Sequence, residues 1–178
     1  MASPKTYFIS DLHLGHENIV KFSYRYRKGS NVDEHDEWLI DAINSVVHPK
    51  DNLWMLGDVS WGRPGTLDKP GDGWHHLSKI GRINGTKNLI LGNHDDMGIE
   101  AYTQYFNVIR GFCEYKGIWL SHAPIHPEEL RGNANAHGHV HENTIDDPRY
   151  LNVCVEENMK LYGVPVVQYQ DLLIRSRQ

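Results

Sequence analysis

The chain has 178 residues, 39% hydrophobic and 23% charged, with a formal net charge of −5. That length carries one domain with a sizeable core, and that composition excludes a disordered chain. The acidic balance argues against long DNA or RNA held by its backbone, which calls for a basic excess; no apolar run nears the ~20 residues of a membrane span.

Met1-Ala2-Ser3-Pro4-Lys5-Thr6 lacks the basic flank and long apolar stretch of a signal peptide, so a cytoplasmic protein is expected. Lys5 to Ser10 reads as a short strand running into Asp11. A polar loop, Gly15 to Asn31, follows, with Asn18 to Tyr26 a helical candidate. Asp33 to Val47 predicts an amphipathic helix: Trp38, Leu39, Ala42, Ile43, Val46 and Val47 keep helical spacing, acids crowd the first turn, and Pro49 ends it. Asn52 to Leu56 is a second strand, ending at Gly57-Asp58. The Gly/Pro-rich loop Gly62 to Gly73 lies between Trp61 and Trp74. Trp74 to Ile80 predicts a short helix, Asn88 to Leu91 a third strand closing on Gly92-Asn93-His94-Asp95, and Ile99 to Phe106 another helix.

The remainder is strand-rich. Val108 to Tyr115 and Ile118 to His122 read as strands about a tight turn at Lys116-Gly117. Ala134 to His137, Tyr150 to Val155 and Val164 to Gln168 are further strand candidates, and Tyr169 to Arg175 a closing helix. Alternating strand and helix, then strand after strand, predicts an α/β fold of two packed sheets with helices outside, one domain over residues 1–178. The two cysteines, Cys113 and Cys154, sit in apolar stretches without metal-like spacing and read as buried free thiols of a reducing compartment.

Five segments end apolar runs with metal-ligand chemistry: Asp11-Leu12-His13, Gly57-Asp58, Gly92-Asn93-His94-Asp95, Ser121-His122 and Gly138-His139-Val140-His141. In open α/β sheets, sites gather beyond the carboxyl ends of strands, so Asp11, Asp58 and Asn93 are expected at one sheet edge. Asp11 and His13, and likewise His139 and His141, are two apart and would point the same way from extended backbone. His137 shares that spacing, so any two of the three histidines 137, 139 and 141 can chelate. Carboxylate, amide oxygen and imidazole suit Mn²⁺, Fe²⁺, Zn²⁺ or Ni²⁺. Two such ions about 3.5–4 Å apart clamp an in-line phosphoryl displacement and generate hydroxide near neutral pH.

The order D-x-H, G-D, G-N-H-D, H, G-H-x-H, from Asp11 to His141, resembles the calcineurin-like metallophosphoesterase superfamily, in a small prokaryotic or phage-type form. The resemblance implies a four-layer α/β/β/α sandwich of two mixed sheets. It implies one ion on Asp11, His13, Asp58 and His141, and a second on Asp58, Asn93, His122 and His139, with Asp58 as the bridge. His94 would contact phosphate and protonate the leaving group, and Asp95 would orient or support it. His139 and His141 are preferred over His137, given a structural role, on the motif alone. The implied activity is hydrolysis of phosphate esters, diesters of nucleotide type favoured, by a metal-bridging hydroxide; a phosphomonoesterase and a non-catalytic binding scaffold are the alternatives. The Asp-Arg pair that many relatives carry after the second motif is missing, since Val59-Ser60-Trp61-Gly62-Arg63 follows Asp58.

His16, Asn18 and Arg25 are candidate contacts to a small phosphate-ester or nucleotide substrate, though a polar turn accounts for the first two as well. The run Lys21 to Lys28 interleaves bases with aromatics and can stack a nucleobase, or be a solvated helix face. Trp61 and Trp74 read as cleft walls or as core, His35, His75 and His76 as non-ligands, and His126 as undecided.

Overall fold

The computed structural model describes residues 3–63, 65 and 71–177, so residues 64 and 66–70 of the Gly/Pro-rich loop lie outside the described residues. In chain order the elements are β1 (Thr6–Ile9), α1 (Ile19–Phe22), α2 (Val32–Asn44), β2 (Asn52–Met55), α3 (Gly73–Ser78) running into a 3-10 helix (Lys79–Arg82), β3 (Thr86–Ile90), α4 (Ile99–Tyr102) and β4 (Val108–Arg110). Then follow β5 (Cys113–Tyr115), β6 (Ile118–Leu120), a 3-10 helix (Pro127–Leu130), β7 (Ala134–His137), β8 (Tyr150–Asn152), α5 (Val155–Tyr162), β9 (Val167–Gln168) and α6 (Tyr169–Arg175). One sheet has the order β4-β3-β2-β1-β9 and the other β5-β6-β7-β8. Both are mixed: β1 to β4 pair in parallel while β9 is antiparallel to β1, and β5 runs antiparallel to an otherwise parallel sheet. This is the α/β sandwich that the resemblance implies.

Strand alternation builds two cores. Tyr7, Ile9, Leu53, Met55 and Leu89 face the helices and pack on Leu39, Ile40, Ile43, Leu77 and Ile80. Phe8, Trp54, Leu56 and Ile90 face the other way and meet Ile118, Leu120, Ala134, Ala136 and Leu151 between the sheets, with Leu172 of α6 entering there. The outer face of the second sheet is covered by the segment leading into the 3-10 helix Pro127–Leu130: Ile125 N–H donates to Asn135, Tyr150 donates to the Ile125 carbonyl, and Trp119 to the Leu130 carbonyl. α2 starts at Asn31, whose side chain accepts from Glu34 N–H, with Asp33 and Glu34 in the first turn.

Two strand expectations are corrected. Val108 to Tyr115 is not one strand: β4 pairs with β3 in the first sheet, and after Gly111-Phe112 the chain crosses to begin the second sheet as β5. β8 ends at Asn152, and Val155 opens α5, whose side chains at 155 to 158 are buried. The Lys21 to Lys28 run is not one helix either, since α1 stops at Phe22.

Candidate metal centre

The ligand candidates stand on turns just past β1, β2, β3, β6 and β7. The turns after β1 and β2 lie side by side, with Asp11 N–H bonded to the Gly57 carbonyl, His13 to Asp58 and Leu14 to Val59. Here the extended-backbone expectation fails. Asp11 (φ 59°), His13 (50°), Asp58 (53°), His139 (72°) and His141 (51°) all adopt the left-handed conformation. Each such residue costs about 1–3 kcal/mol, strain that concentrates where geometry serves a site. Their shared direction therefore comes from tight turns and not from strand alternation.

The motif glycines have a steric reason. A Cβ on Gly92 would overlap Asp58 Oδ1, and one on Gly138 would overlap Ser10 Oγ and Asp11 Oδ2. Gly138→Ala is expected to push apart the β1 and β7 turns and weaken divalent-ion binding by ~10-fold or more, read by calorimetric titration with Mn²⁺.

Two groups of donors converge. Asp11, His13 and His141 form one, and Asp58, His122 and His139 the other; within each, the donor atoms lie within 4.8 Å of one another. In the first, Asp11 Oδ1 is 3.6 Å from His13 Nε2 and 3.7 Å from His141 Nε2. In the second, His122 Nε2 is 2.9 Å from Asn93 Oδ1, 3.2 Å from His139 Nδ1 and 3.4 Å from Asp58 Oδ2. Asp58 Oδ2 also lies 3.8 Å from His13 Nε2, so this carboxylate stands between the groups, while its Oδ1 accepts from His94 N–H. The structure thus brings together all seven residues expected as ligands: Asp11, His13, Asp58, Asn93, His122, His139 and His141.

These residues fit a pair of cations. Asp11 Oδ1 and His13 Nε2 are buried and have no protein partner, although buried polar atoms are nearly always paired. His13 is held neutral, burial pushing its pKa down against the pull of Asp11. Burial opposes charge on Asp11 too, but His13 beside it at 3.6 Å and the histidines around it hold it well below the usual carboxylate range. An ionised oxygen facing a bare imidazole nitrogen suits a cation.

In the second group a proton fills that place in the metal-free protein. Burial lowers the His122 pKa, but Asp58 beside it and Asp11 beyond outweigh this and push it up to about 9. Metal ligation needs the neutral ring. Ion binding at pH 7 is therefore expected to release a proton, and affinity should climb as pH rises toward 9 and then level off. Calorimetry in buffers of differing ionisation enthalpy checks this; identical heats in all buffers would contradict it.

His94 is exposed, its ring 4.6 Å from Trp61 and 5.8 Å from His13. Asp95 supports the turn that carries it. Its carboxylate accepts the backbone N–H groups of Asp58, Val59 and Gly92, which fastens the β2 turn to the β3 turn. His16 lies at the rim with its ring 4.2 Å from Trp61, and its Nδ1 accepts from Asn18 N–H. Asn18 accepts from Lys21 beside the same cavity. Arg25 is exposed, interacts with Tyr26 and lines no cavity with the ligand residues among those described. His137, fully buried at the end of β7, bonds the Gly138 carbonyl and belongs to neither donor group. His126 caps the 3-10 helix Pro127–Leu130. Trp61 and Trp74 are both partly exposed at the surface.

Residues that the sequence left unnoticed surround the ligands. Asn152 donates to the His141 and Asn143 carbonyls, holding that turn. Cys154, buried, donates its thiol to Asp11 Oδ2, whereas Cys113 is only half-buried. Arg27 and Glu156, both buried, join the turn at Asp11 to His141.

The fold and the donor arrangement are those that the resemblance to the calcineurin-like metallophosphoesterases implies. No family model matches the chain. The uncharacterized protein MJ1445 of Methanocaldococcus jannaschii is 35% identical over 155 residues, covering 85% of this chain and 78% of that protein. The gene 66 protein of Mycobacterium phage D29 is 31% identical, covering 83% and 85%. That of phage L5 is 41% identical over 91 residues, and the match spans only 39% of it. The chain belongs to the family that these proteins represent. Among solved structures, the Aquifex aeolicus protein of unknown function AQ665 superposes over 97% of this chain and 99% of its own with a TM-score of 0.69 at 26% identity. The Pseudomonas putida nuclease MPE shares the fold, with a TM-score of 0.50 at 20% identity over 76% of this chain and 61% of its own.

Proposed function

We propose that the chain is a dinuclear metal-dependent phosphoesterase, acting as a single domain on small phosphodiesters of nucleotide type. The observation that carries this is the pair of donor groups joined at Asp58, the first with bare buried donor atoms. Asp11, His13, Asp58 and His141 would hold one ion, and Asp58, Asn93, His122 and His139 the other, drawn from Mn²⁺, Fe²⁺, Zn²⁺ and Ni²⁺. When bound, such a pair activates water for in-line attack at phosphorus and takes up the charge gathering on the phosphoryl oxygens.

The chain's own residues do the rest. His94, exposed beside the donors, contacts the phosphate and gives a proton to the departing oxygen. Its backbone N–H, bonded to Asp58 Oδ1, ties the acid to the bridging carboxylate. Trp61 separates two cavities beside the centre. One, about 290 Å³, is lined by Trp61, Gly62, Arg63, His94 and Asp96. The other, about 370 Å³, is lined by His16, Asn18, Phe22 and Trp61 among others. Exposed Phe22 and Trp61 offer apolar ring surface to a base.

MPE of Pseudomonas putida, which shares the fold, is a nuclease. The experiment is a panel of cyclic nucleotides, nucleotide monophosphates, short oligonucleotides and bis-p-nitrophenyl phosphate, each with Mn²⁺, Ni²⁺, Mg²⁺ and Zn²⁺. Diesters are expected to turn over faster than monoesters; hydrolysis of monoesters alone would make the chain a phosphomonoesterase, and no metal-stimulated hydrolysis would leave a binding scaffold.

A further inference from the structure

Arg27 joins ligand turns that come from distant parts of the chain. Its Nη2 donates to the Asp11 carbonyl, its Nη1 to the Leu12 carbonyl at 3.0 Å, and its Nε to Glu156 Oε1 at 2.7 Å. Glu156, at the start of α5, places the same Oε1 3.2 Å from His141 Nδ1. The opposite nitrogen of that ring, Nε2, thereby faces Asp11 Oδ1 at 3.7 Å. One guanidinium thus touches the turn that carries Asp11 and His13 and, through one carboxylate, the ring of His141: all three members of the first donor group.

The network continues behind Arg27. His35 Nε2 lies 3.2 Å from Arg27 Nη1; facing a guanidinium it accepts, so Nδ1–H donates to Asp36 Oδ1 at 2.9 Å. Asp36 Oδ2 accepts from Gly15 N–H at 2.9 Å and from Lys79 Nζ at 2.8 Å. The turn at Asp11 to His13 is therefore gripped on both sides, by Arg27 at its carbonyls and by Asp36 at Gly15.

Arg27 and Glu156 are 2% and 0% exposed. A buried ion pair seldom stabilises a fold more than apolar side chains of the same volume would, so its placement calls for another reason. Among the described residues, every hydrogen bond given by these two side chains goes to a candidate ligand residue, to Leu12 between two of them, to His35, or to each other. A carboxylate behind a metal-ligating imidazole fixes its tautomer and direction and raises its basicity.

We infer that Arg27 and Glu156 are positioning residues of one metal site: Arg27 keeps the Asp11–His13 turn in its ligating shape, and Glu156 aims His141 Nε2 at the same ion. The inference rests on the metal-centre reading above. It predicts selectivity between the two sites, which a general loss of packing would not produce. The test is calorimetric titration of metal-free protein with Mn²⁺, for the wild type, Glu156→Gln and Arg27→Lys, with circular dichroism confirming the fold. Glu156→Gln keeps the volume and an acceptor but removes the charge; Arg27→Lys keeps the charge but loses the fork that reaches four acceptors. Each is expected to weaken one of two Mn²⁺ binding steps by ~10–100-fold and leave the other within about threefold. A folded Glu156→Gln with wild-type affinity at both steps, or with both steps weakened equally, overturns the inference. Should Arg27→Lys not fold, Glu156→Gln decides alone. A wild-type chain that binds no Mn²⁺ overturns the metal-centre reading itself, a result distinct from either.

Discussion

His94→Ala is expected to bind two divalent ions with nearly wild-type affinity and to lose ~10²–10⁴-fold in kcat on a phosphodiester with an alkoxide leaving group, the span of general acid catalysis. The reason is positional. The ring of His94 is exposed and in neither donor group, while its backbone N–H, which alanine keeps, is what bonds Asp58. The loss should shrink with p-nitrophenolate as leaving group, because that anion departs without a proton. A leaving-group series on wild type and variant separates the roles: an equal loss for alkoxide and nitrophenolate would show that His94 binds phosphate but donates no proton, and full activity would remove it from the reaction.

Asp58→Asn should have the opposite signature. Asp58 Oδ2 lies between His13 Nε2 and His122 Nε2, so one substitution touches both donor groups. The amide keeps the shape, and its oxygen can still accept from His94 N–H, but the charge that two cations would share is gone. Both ions should bind more than ~100-fold more weakly, beyond the range typical of residues that merely support a ligand. Activity should fall with occupancy and partly recover at high Mn²⁺. Metal analysis after gel filtration reads this directly; two ions retained per chain would show that Asp58 is no bridge. The His122 proton should respond as well, since Asp58 is the main group holding it.

Much of this centre was legible in the sequence because its ligands follow strands. Phe8 and Ile9, Trp54 and Met55, Leu89 and Ile90 alternate between two cores, and such strands deliver their first polar residues to a shared edge. What was legible as order was not legible as geometry. Nothing local announces the left-handed conformation of Asp11, His13, His139 and His141, which is imposed by neighbouring turns and the close approach of Gly138 to Ser10 and Asp11. The crossing at Gly111-Phe112 was hidden because β4 and β5 have the same strand-like composition, and composition does not say which sheet a strand joins. α5 was half-read as strand because Val153, Cys154 and Val155 are an apolar run, and the helix that follows buries Glu156 and Glu157. Arg27 and Glu156 are 129 residues apart, so their pairing left no local trace, and within the run Lys21 to Lys28 Arg27 looked like its solvated neighbours. Asp95 sits beside His94 in sequence, yet its carboxylate serves backbone N–H groups instead.

Phosphodiester hydrolysis by two ions held around Asp58 is the expected activity. It is tested most directly by stripping the protein of metal, adding Mn²⁺ stepwise, and following ions bound per chain together with turnover of bis-p-nitrophenyl phosphate. No turnover is expected in the metal-free protein, and full turnover only as the second ion binds. Undiminished hydrolysis in the metal-free protein, or full turnover with a single ion bound, would contradict the account.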